Sequence, residues 1–276
     1  MGFDRQQFQI ALQDVSEQLS GQSNALEIGQ PQGLSLHWFE TLLSTNQTLW
    51  KLLDWGATSG TVVIASQQTA GRGQWGRQWH STPGGLYLSL ALTPQLQASN
   101  SAQLTMCGAW GIATALRSYD IPVFLKWPND LLLLGRKLGG ILTETRVNQG
   151  QITKAVVGVG INWSNHVPES GIILQPFCQE QLSSKPRVTS LEMLAAIVLQ
   201  GLHIGFQRWS ELGIEGLLAS YVELLDSQGR HVIVDGNPGA IAGVTPNGEL
   251  RVCINSGEIT REICLKPGTI SLGYHW

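Results

Sequence analysis

The chain has 276 residues, of which 42% are hydrophobic and 13% charged, and its formal net charge at pH 7 is −3. This length is enough for one large domain and a small one, and the composition excludes an intrinsically disordered chain. A slightly negative chain also argues against a broad basic surface, so we expect no nucleic-acid partner.

Targeting signals and metal-binding spacings are not found in the sequence. The N-terminus lacks the apolar core of a signal peptide, and no apolar run approaches the roughly 20 residues of a membrane helix. The four cysteines lie far apart and form no CxxC pair. This favours free thiols in a reducing compartment over a disulfide or zinc framework. We therefore expect a cytoplasmic protein without a membrane partner.

Hydrophobic periodicity and turn residues predict helices and strands along the first 226 residues. The predicted strands are 34–42, 61–66, 86–92, 122–127, 130–134, 138–147 and 153–163. The predicted helices are 5–19, a helix capped by Ser44 or Thr45 and ending at Gly56, 101–118, a helix after a Thr189–Glu192 capping box, and about 215–225.

From residue 229 the pattern changes to short β runs with turn signals about every ten residues. The signals are Asp235-Gly236, Asn247-Gly248 and Ser256-Gly257, and they suggest a small barrel that packs on the main domain. The fold class predicted is α+β, a mixed β-sheet with helices packed on it. Residues 1–226 form the main domain, with 1–33 as an N-terminal extension, and 227–276 form the small β domain.

Two stretches in the first third of the chain could bind a ligand. STNQ (44–47) is by composition an ordinary helix cap, and the alternative is that its hydroxyls face a polar ligand. GRGQWGRQWHSTPGG (71–85) combines five glycines with two arginines and two tryptophans. Glycine exposes backbone N–H groups to an anion, and arginine adds bidentate charge, although a mobile surface loop or an RNA contact would have a similar composition.

KWPNDLLLLGRKLGGIL (126–142) is the most informative stretch. Its Pro128-Asn129-Asp130 turn places Lys126 and Lys137 at neighbouring strand ends, within a mostly apolar segment. Asp130 in such a turn is more often a backbone cap than a metal ligand, but the two lysines make a site for phosphate and Mg²⁺ plausible. GVGIN (158–162) lets another group approach the backbone, and it does not match the GxGxxG dinucleotide fingerprint.

Taken in order, STNQ, GRGxxGRxWxSxxGGLYLS, KWPNDxxxxxxKxxGIL and GVGIN resemble the biotin–protein ligases over about residues 36–163. The resemblance implies a class II synthetase-like catalytic domain and a C-terminal SH3-like β-barrel. It implies an enzyme that uses ATP and Mg²⁺ to convert biotin into biotinyl-5′-AMP. A lysine of a biotin carboxyl carrier protein of acetyl-CoA carboxylase would then accept the biotin.

The same resemblance assigns roles to individual residues. The biotin-binding set is Ser44, Thr45, Asn46, Gln68, Gly71, Arg72, Lys137, Gly140 and Gly158. The ATP- and adenylate-binding set is Arg72, Arg77, Trp79, Lys126, Asn129 and Asn162. Lys137, Arg72 and Arg77 would be catalytic, and Asp130 would help to hold Mg²⁺.

Two departures from the family pattern affect these expectations. Gln74 stands where relatives commonly carry an arginine, which bears on how tightly the adenylate is retained. Thr269 and Gly273 stand where relatives can carry an acid and an arginine, which bears on how the small domain reaches the nucleotide.

Three rival functions remain in view. A lipoate–protein ligase or octanoyltransferase has a related fold, but KWPND with the GRGxxGRxW loop favours biotin. A biotin-sensing transcription regulator would need an N-terminal DNA-binding module, for which about 33 residues are too few. A nucleic-acid-binding module is disfavoured by the net charge. The sequence leaves the oligomeric state open, with a homodimer as one assembly.

Overall fold

The computed structural model describes residues 3–20, 34–180, 188–256, 259–270 and 272. The helices are α1 (Arg5–Ser20), α2 (Thr45–Asp54), α3 (Ala102–Arg117), α4 (Leu174–Glu180) and α5 (Leu191–Glu223). The first eight strands are β1 (Ser35–Leu42), β2 (Thr61–Gln68), β3 (Leu86–Leu92), β4 (Leu96–Gln97), β5 (Phe124–Lys126), β6 (Asp130–Leu133), β7 (Arg136–Asn148) and β8 (Gln151–Ile161). The last four are β9 (His231–Val234), β10 (Asn237–Val244), β11 (Leu250–Ser256) and β12 (Ile259–Leu265).

The first eight strands form one mixed sheet in the order β1-β2-β3-β8-β7-β6-β5, with β4 paired to β8. β1 and β2 are parallel, and every other pair of neighbours in this order is antiparallel. The α+β prediction is therefore confirmed. Within the described residues, every helix is too short or too polar to cross a bilayer.

The two faces of this sheet carry different layers because strand side chains alternate between faces. Val62 and Val157 belong to the main core, which also contains the buried residues of α3 and α5. Their neighbours Val63 and Val156 pack instead with Leu49 of α2. The face that carries α2 also carries the pocket described below.

Helices α3 and α5 approach each other closely at glycines. A Cβ at Gly111 would collide with the carbonyl oxygen of Gly201, and one at Gly205 would collide with that of Cys107. Gly213 interrupts α5 with a φ of 67°, which confirms the expectation of two consecutive helices.

The start of α5 corrects one prediction. The N-cap is Ser190, whose hydroxyl accepts a hydrogen bond from the backbone N–H of Met193 at 3.1 Å. The Thr189–Glu192 capping box is therefore wrong by one residue. Glu192 instead accepts a bond from the backbone N–H of Asp4, at 2.9 Å, and so ties the segment before α1 to α5.

The last four strands form a second antiparallel sheet in the order β12-β11-β10-β9. Asp235 and Gly236 have positive φ values of 50° and 78°, as a two-residue hairpin turn requires. Gly248 accepts a hydrogen bond on its carbonyl oxygen from the indole N–H of Trp127 at 2.8 Å, which joins the two sheets. The SH3-like barrel and the 1–226 and 227–276 boundaries stay predictions, and Gly257 and Gly273 lie outside the described residues.

Candidate active site

A pocket of about 940 Å³ opens on the α2 face of the large sheet. It is bounded by the start of α2, the end of β2, the glycine-rich loop, the turn between β5 and β6, and strands β7 and β8. Residues after β12 supply a further wall, namely Pro267, Gly268, Thr269, Ile270 and Leu272. Of the predicted site residues, the pocket is lined by Ser44, Thr45, Asn46, Gln68, Arg72, Arg77, Trp79, Lys126, Asn129, Asp130, Lys137, Gly140 and Gly158.

One end of the pocket is a buried network of neutral polar side chains. The Thr45 backbone N–H donates to Gln68 Oε1 at 2.8 Å, and Gln68 Nε2 donates to Ser81 Oγ at 2.8 Å. Ser89 Oγ lies 2.7 Å from Thr45 Oγ1 and donates to Asn46 Oδ1 at 2.6 Å. Thr45, Asn46 and Ser89 are at most 4% exposed, so burial and mutual bonding hold these groups in fixed directions.

Ser44 decides between the two interpretations of STNQ. It occupies the N-cap position of α2 with an extended backbone, but its side chain makes no capping hydrogen bond. The simple cap interpretation is therefore wrong for the hydroxyl, and Ser44 lines the pocket instead.

Two glycines of β8 form the floor of the pocket, and their lack of a side chain leaves space for Asn46 and Trp79. A Cβ at Gly158 would collide with Asn46 Oδ1, and one at Gly160 would lie 2.5 Å from Trp79 Nε1. Since residues 158 and 160 share a face of the strand, the spacing in GVGIN places both under the pocket. Gly160 was not predicted as a site residue, although the same motif contains it.

A second part of the pocket carries the cations. Lys137 Nζ lies 2.6 Å from Asp130 Oδ1 and 5.3 Å from the centroid of the Trp79 ring. Arg72 and Arg77 extend from the glycine-rich loop, and Arg77 lies 5.5 Å from the ring centroid of Trp75. A site with this charge is suited to an anion such as a polyphosphate.

Lys126 is the most buried of these cations, with 9% of its surface exposed. The pKa of Lys126 is lowered to about 8, chiefly by burial; the charge of Asp130 opposes this shift and the positive charge of Lys137 adds to it. The amine is therefore only partly protonated near pH 8 and would gain from an anionic ligand.

Three of the predicted site residues make contacts that stabilise the protein's own structure. Asn129 Nδ2 donates to the carbonyl oxygen of Ile141 at 2.7 Å, which fixes the turn after the Trp127–Pro128 cis peptide. Asn162 Nδ2 donates to the carbonyl oxygen of Lys137 at 3.3 Å. Gly71 is buried where a Cβ would collide with Ser81 and Trp79. Asn162 and Gly71 do not line the pocket, so their predicted ligand contacts stay predictions.

The glycine-rich loop folds back on itself over the pocket. Gly73 N–H donates to the Arg77 carbonyl oxygen at 2.7 Å, and Trp79 N–H donates to that of Gly71 at 3.0 Å. Trp75 at the tip is 55% exposed, and a Cβ at Gly268 would lie 3.3 Å from its ring. The tip therefore meets the segment after β12, a contact that the sequence did not indicate.

The pocket offers little for a metal ion by itself. Asp130 is the one carboxylate among its described lining residues, and it is paired with Lys137. No group of three or more potential metal-ligand side chains occurs among the described residues. One carboxylate fits Mg²⁺ that is held mainly by substrate phosphates, which is the usual way this ion enters nucleotide sites.

Sequence reasoning missed Ser89 and Glu144 as well as Gly160. Ser89 is the one polar residue in the apolar strand LYLSLAL, and its 0% exposure makes a buried hydrogen-bonding role clear. Glu144 Oε2 accepts from Arg72 Nη2 at 3.0 Å. The sequence indicates a role for Glu144 only in that an acid stands in a strand that otherwise borders the core.

Comparison with known proteins agrees with this geometry. Residues 38–162 match the family described as Biotin/lipoate A/B protein ligase family. The bifunctional ligase/repressor BirA of Bacillus subtilis is 38% identical over 132 residues, which are 47% of this chain and 41% of that protein. BirA of Escherichia coli is 34% identical over 207 residues, which are 73% of this chain and 63% of that protein. The chain thus spans less than two thirds of the length of either relative.

A solved biotin protein ligase from Aquifex aeolicus in complex with biotin and ATP has a similar fold. The match has a TM-score of 0.67 and 26% identity, and it covers 87% of this chain and 99% of that one. Over residues 38–162 the chain is therefore similar to the biotin/lipoate A/B protein ligase family.

Proposed function

We propose that this protein is an ATP-dependent biotin–protein ligase. It activates biotin to biotinyl-5′-AMP and transfers the biotin to a lysine of a biotin carboxyl carrier protein of acetyl-CoA carboxylase. One observation supports this function above the others. A single pocket joins a buried network of neutral donors and acceptors to a cluster of lysines and arginines.

The neutral end suits the ureido ring of biotin. This ring presents one carbonyl oxygen and two N–H groups, so it needs donors and acceptors at fixed positions. The hydroxyls of Ser44 and Thr45 and the amides of Asn46 and Gln68 lie together there. Because these groups are already ordered by Ser89 and by each other, ligand binding costs little side-chain conformational entropy.

The cationic end suits the first chemical step. An oxygen of the biotin carboxylate attacks the α-phosphorus of ATP, and the bond from that phosphorus to pyrophosphate breaks. Both reactants are anions, so fixed positive charge must offset their repulsion and the charge that develops. Lys137 would hold the carboxylate and phosphate oxygens, while Lys126, Arg72 and Arg77 would meet the phosphates.

The second step releases AMP. The amine of the acceptor lysine attacks the activated carbonyl carbon, an amide bond forms, and the proton passes to solvent or base. Until the acceptor arrives, the mixed anhydride must be kept from water. Trp79 would stack near the adenine, and the loop tip at Trp75 together with Gly268 would cover the pocket.

Mg²⁺ would enter bound to ATP, with Asp130 as its protein ligand, and would screen the phosphate charge. We further propose that β9–β12 belong to an SH3-like domain over 227–276 and that 1–226 form the catalytic domain. The cysteines Cys107, Cys178, Cys253 and Cys264 are free, which supports a cytoplasmic location. A homodimer stays a prediction.

The test is exchange of labelled pyrophosphate into ATP, which requires reversible adenylation. We expect exchange with biotin and none with lipoate or octanoate. Exchange with lipoate alone would favour the lipoate ligase alternative, and no exchange with any of these acids would refute the proposed adenylation.

A further inference from the structure

Helix α2 and strand β7 meet through a row of polar contacts, which we name the α2–β7 ladder. Asn46, Trp50 and Asp54 are spaced four residues apart on α2 and therefore share one helix face. They meet Leu142, Glu144 and Arg146, which alternate along one face of β7. The contacts run Asn46 to Leu142 and Glu144, Trp50 to Glu144, and Asp54 to Arg146.

Glu144 is the residue of the α2–β7 ladder that also contacts the glycine-rich loop. Its Oε2 accepts from Asn46 Nδ2 at 2.9 Å, from Trp50 Nε1 at 3.3 Å and from Arg72 Nη2 at 3.0 Å. Three donors of two different segments thus share one carboxylate oxygen. Side-chain exposure is 27% for Glu144 and 39% for Arg72. Arg72 lines both the pocket and a neighbouring surface groove, whereas Glu144 lines only the groove, so the pair lies at the rim of the pocket.

The same carboxylate also determines which way the Asn46 amide points. Asn46 Nδ2 donates to Glu144 and, at 3.2 Å, to the Leu142 carbonyl oxygen. Its Oδ1 is left to accept from Ser89 Oγ at 2.6 Å and to face Gly158. If the amide were reversed, an N–H₂ group would face the Gly158 floor and an amide oxygen would face the carboxylate, which is repulsive.

We propose that Glu144 is a positioning residue for adenylation, because it holds Arg72 at the rim while it sets the Asn46 amide at the biotin end. The inference rests on the proposed function, in which Arg72 and Asn46 contact the substrates. An arginine side chain on a glycine-rich loop has many rotamers and a mobile base. A charge-assisted bond to a strand residue limits both before the substrate arrives.

Two substitutions at Glu144 separate its charge from its acceptor oxygen. Glu144→Gln keeps an oxygen for Asn46 and Trp50 but removes the charge that faces Arg72. We expect its adenylation kcat to fall about tenfold, with the biotin KM within about threefold of wild type. Glu144→Ala removes the acceptor as well, and we expect the biotin KM to rise about tenfold in addition.

A double-mutant cycle with Arg72 shows whether the effect passes through that arginine. In an Arg72→Ala background, Glu144→Gln should change kcat by less than about twofold. An equally large effect in both backgrounds would mean a general structural role and would overturn the inference. A Glu144→Gln enzyme faster than wild type would also overturn it, since Glu144 would then withhold Arg72 from the substrate.

A substrate-free measurement keeps this inference separate from the proposed function. Trypsin should cleave after Arg72 at least about threefold faster in Glu144→Gln than in wild type, because the anchored conformation is lost. Asp54→Asn is the matched control, since it breaks the other charged rung and leaves Glu144 in place, and its cleavage rate should equal that of wild type. Equal cleavage in wild type and Glu144→Gln would overturn the inference even if the enzyme is active. Absence of pyrophosphate exchange in wild type would refute only the proposed function.

Discussion

The two ends of the pocket differ in how their polar groups are held. At the neutral end, Thr45, Asn46 and Ser89 are at most 4% exposed and bond to one another across α2 and β3. At the charged end, the side chains of Arg72 and Lys137 are 39% and 26% exposed. The neutral end is part of the folded core, whereas at the charged end Arg72 and Lys137 border solvent, although Lys126 is buried.

This difference indicates a division of work between binding and chemistry. A buried, prebonded network favours tight and selective binding of a neutral ring, because the directions of its donors are already set. Exposed cations are screened until a loop excludes water, and they then act strongly on developing charge. Substitutions at the two ends should therefore affect different kinetic constants.

The largest effect is expected from Lys137→Ala at the charged end. Loss of the amine that faces the reacting oxygens should lower the rate of adenylation at least about 10²-fold while the fold is retained. Pyrophosphate exchange and circular dichroism measure these two properties. Lys154→Ala is the matched control, because its amine donates to the Leu53 carbonyl oxygen outside the pocket. A Lys137→Ala enzyme with near-normal exchange would remove Lys137 from the mechanism.

Gly158→Ala should disturb the neutral end. The new Cβ would collide with Asn46 Oδ1, so the amide must shift and the biotin KM should rise at least about tenfold. Gly140→Ala is the comparison, since its Cβ would lie 3.4 Å from the nearest atom, on Asp130, and we expect a smaller change in KM. Steady-state kinetics with varied biotin measures both. Equal effects of the two substitutions would show that Asn46 does not limit the space available.

Gln74→Arg should strengthen the charged end. Gln74 lines the pocket, and its buried Oε1 has no hydrogen-bond partner within the described residues. An added cation beside the adenylate phosphate should slow its release about tenfold and leave biotin affinity nearly unchanged. Stopped-flow release of biotinyl-AMP tests this, with Gln67→Arg as a control that adds the same charge outside the pocket. Identical release rates for Gln74→Arg and wild type would mean that position 74 does not face the phosphate.

The smallest effect is expected from pH. Burial lowers the pKa of Lys126 to about 8, so its positive charge is present below that pH and is lost as the pH rises through it. If the charged amine meets the ATP phosphates, the KM for ATP should rise about fourfold between pH 7 and 8.5. Lys126→Arg should abolish this rise, because guanidinium stays charged. A rise of equal size in Lys126→Arg would assign the titration to another group.

Local chemistry explains which parts could be predicted from the sequence. Strands β2 and β3 and helix α3 were found because they are predominantly apolar, and most of their residues are buried. The Asp235-Gly236 and Asn247-Gly248 turns also followed from residue type. The cap of α5 was misplaced because Thr189 and Ser190 are both suitable N-cap residues, and Glu192, three residues after Thr189, favoured the wrong one.

Long-range contacts could not be predicted in the same way. Glu144 meets Arg72 across 72 positions of the chain, and nothing local distinguishes it from an exposed acid. Likewise, the placement of Gly268 against Trp75 depends on how the second sheet docks. The motif stretches stood out because lysines within an apolar segment and clustered glycines are unusual, and the resemblance to the biotin–protein ligases then assigned roles to their residues.

Calorimetric titration of biotin into Lys137→Ala tests whether binding and chemistry are separate. We expect the biotin Kd to rise by no more than about tenfold, a change of about 1.4 kcal/mol from the lost carboxylate contact, while adenylation falls at least about 10²-fold. This result would place affinity at Thr45, Asn46 and Gln68 and catalysis at Lys137. A loss of biotin affinity as large as the loss of adenylation would contradict the division between the two ends.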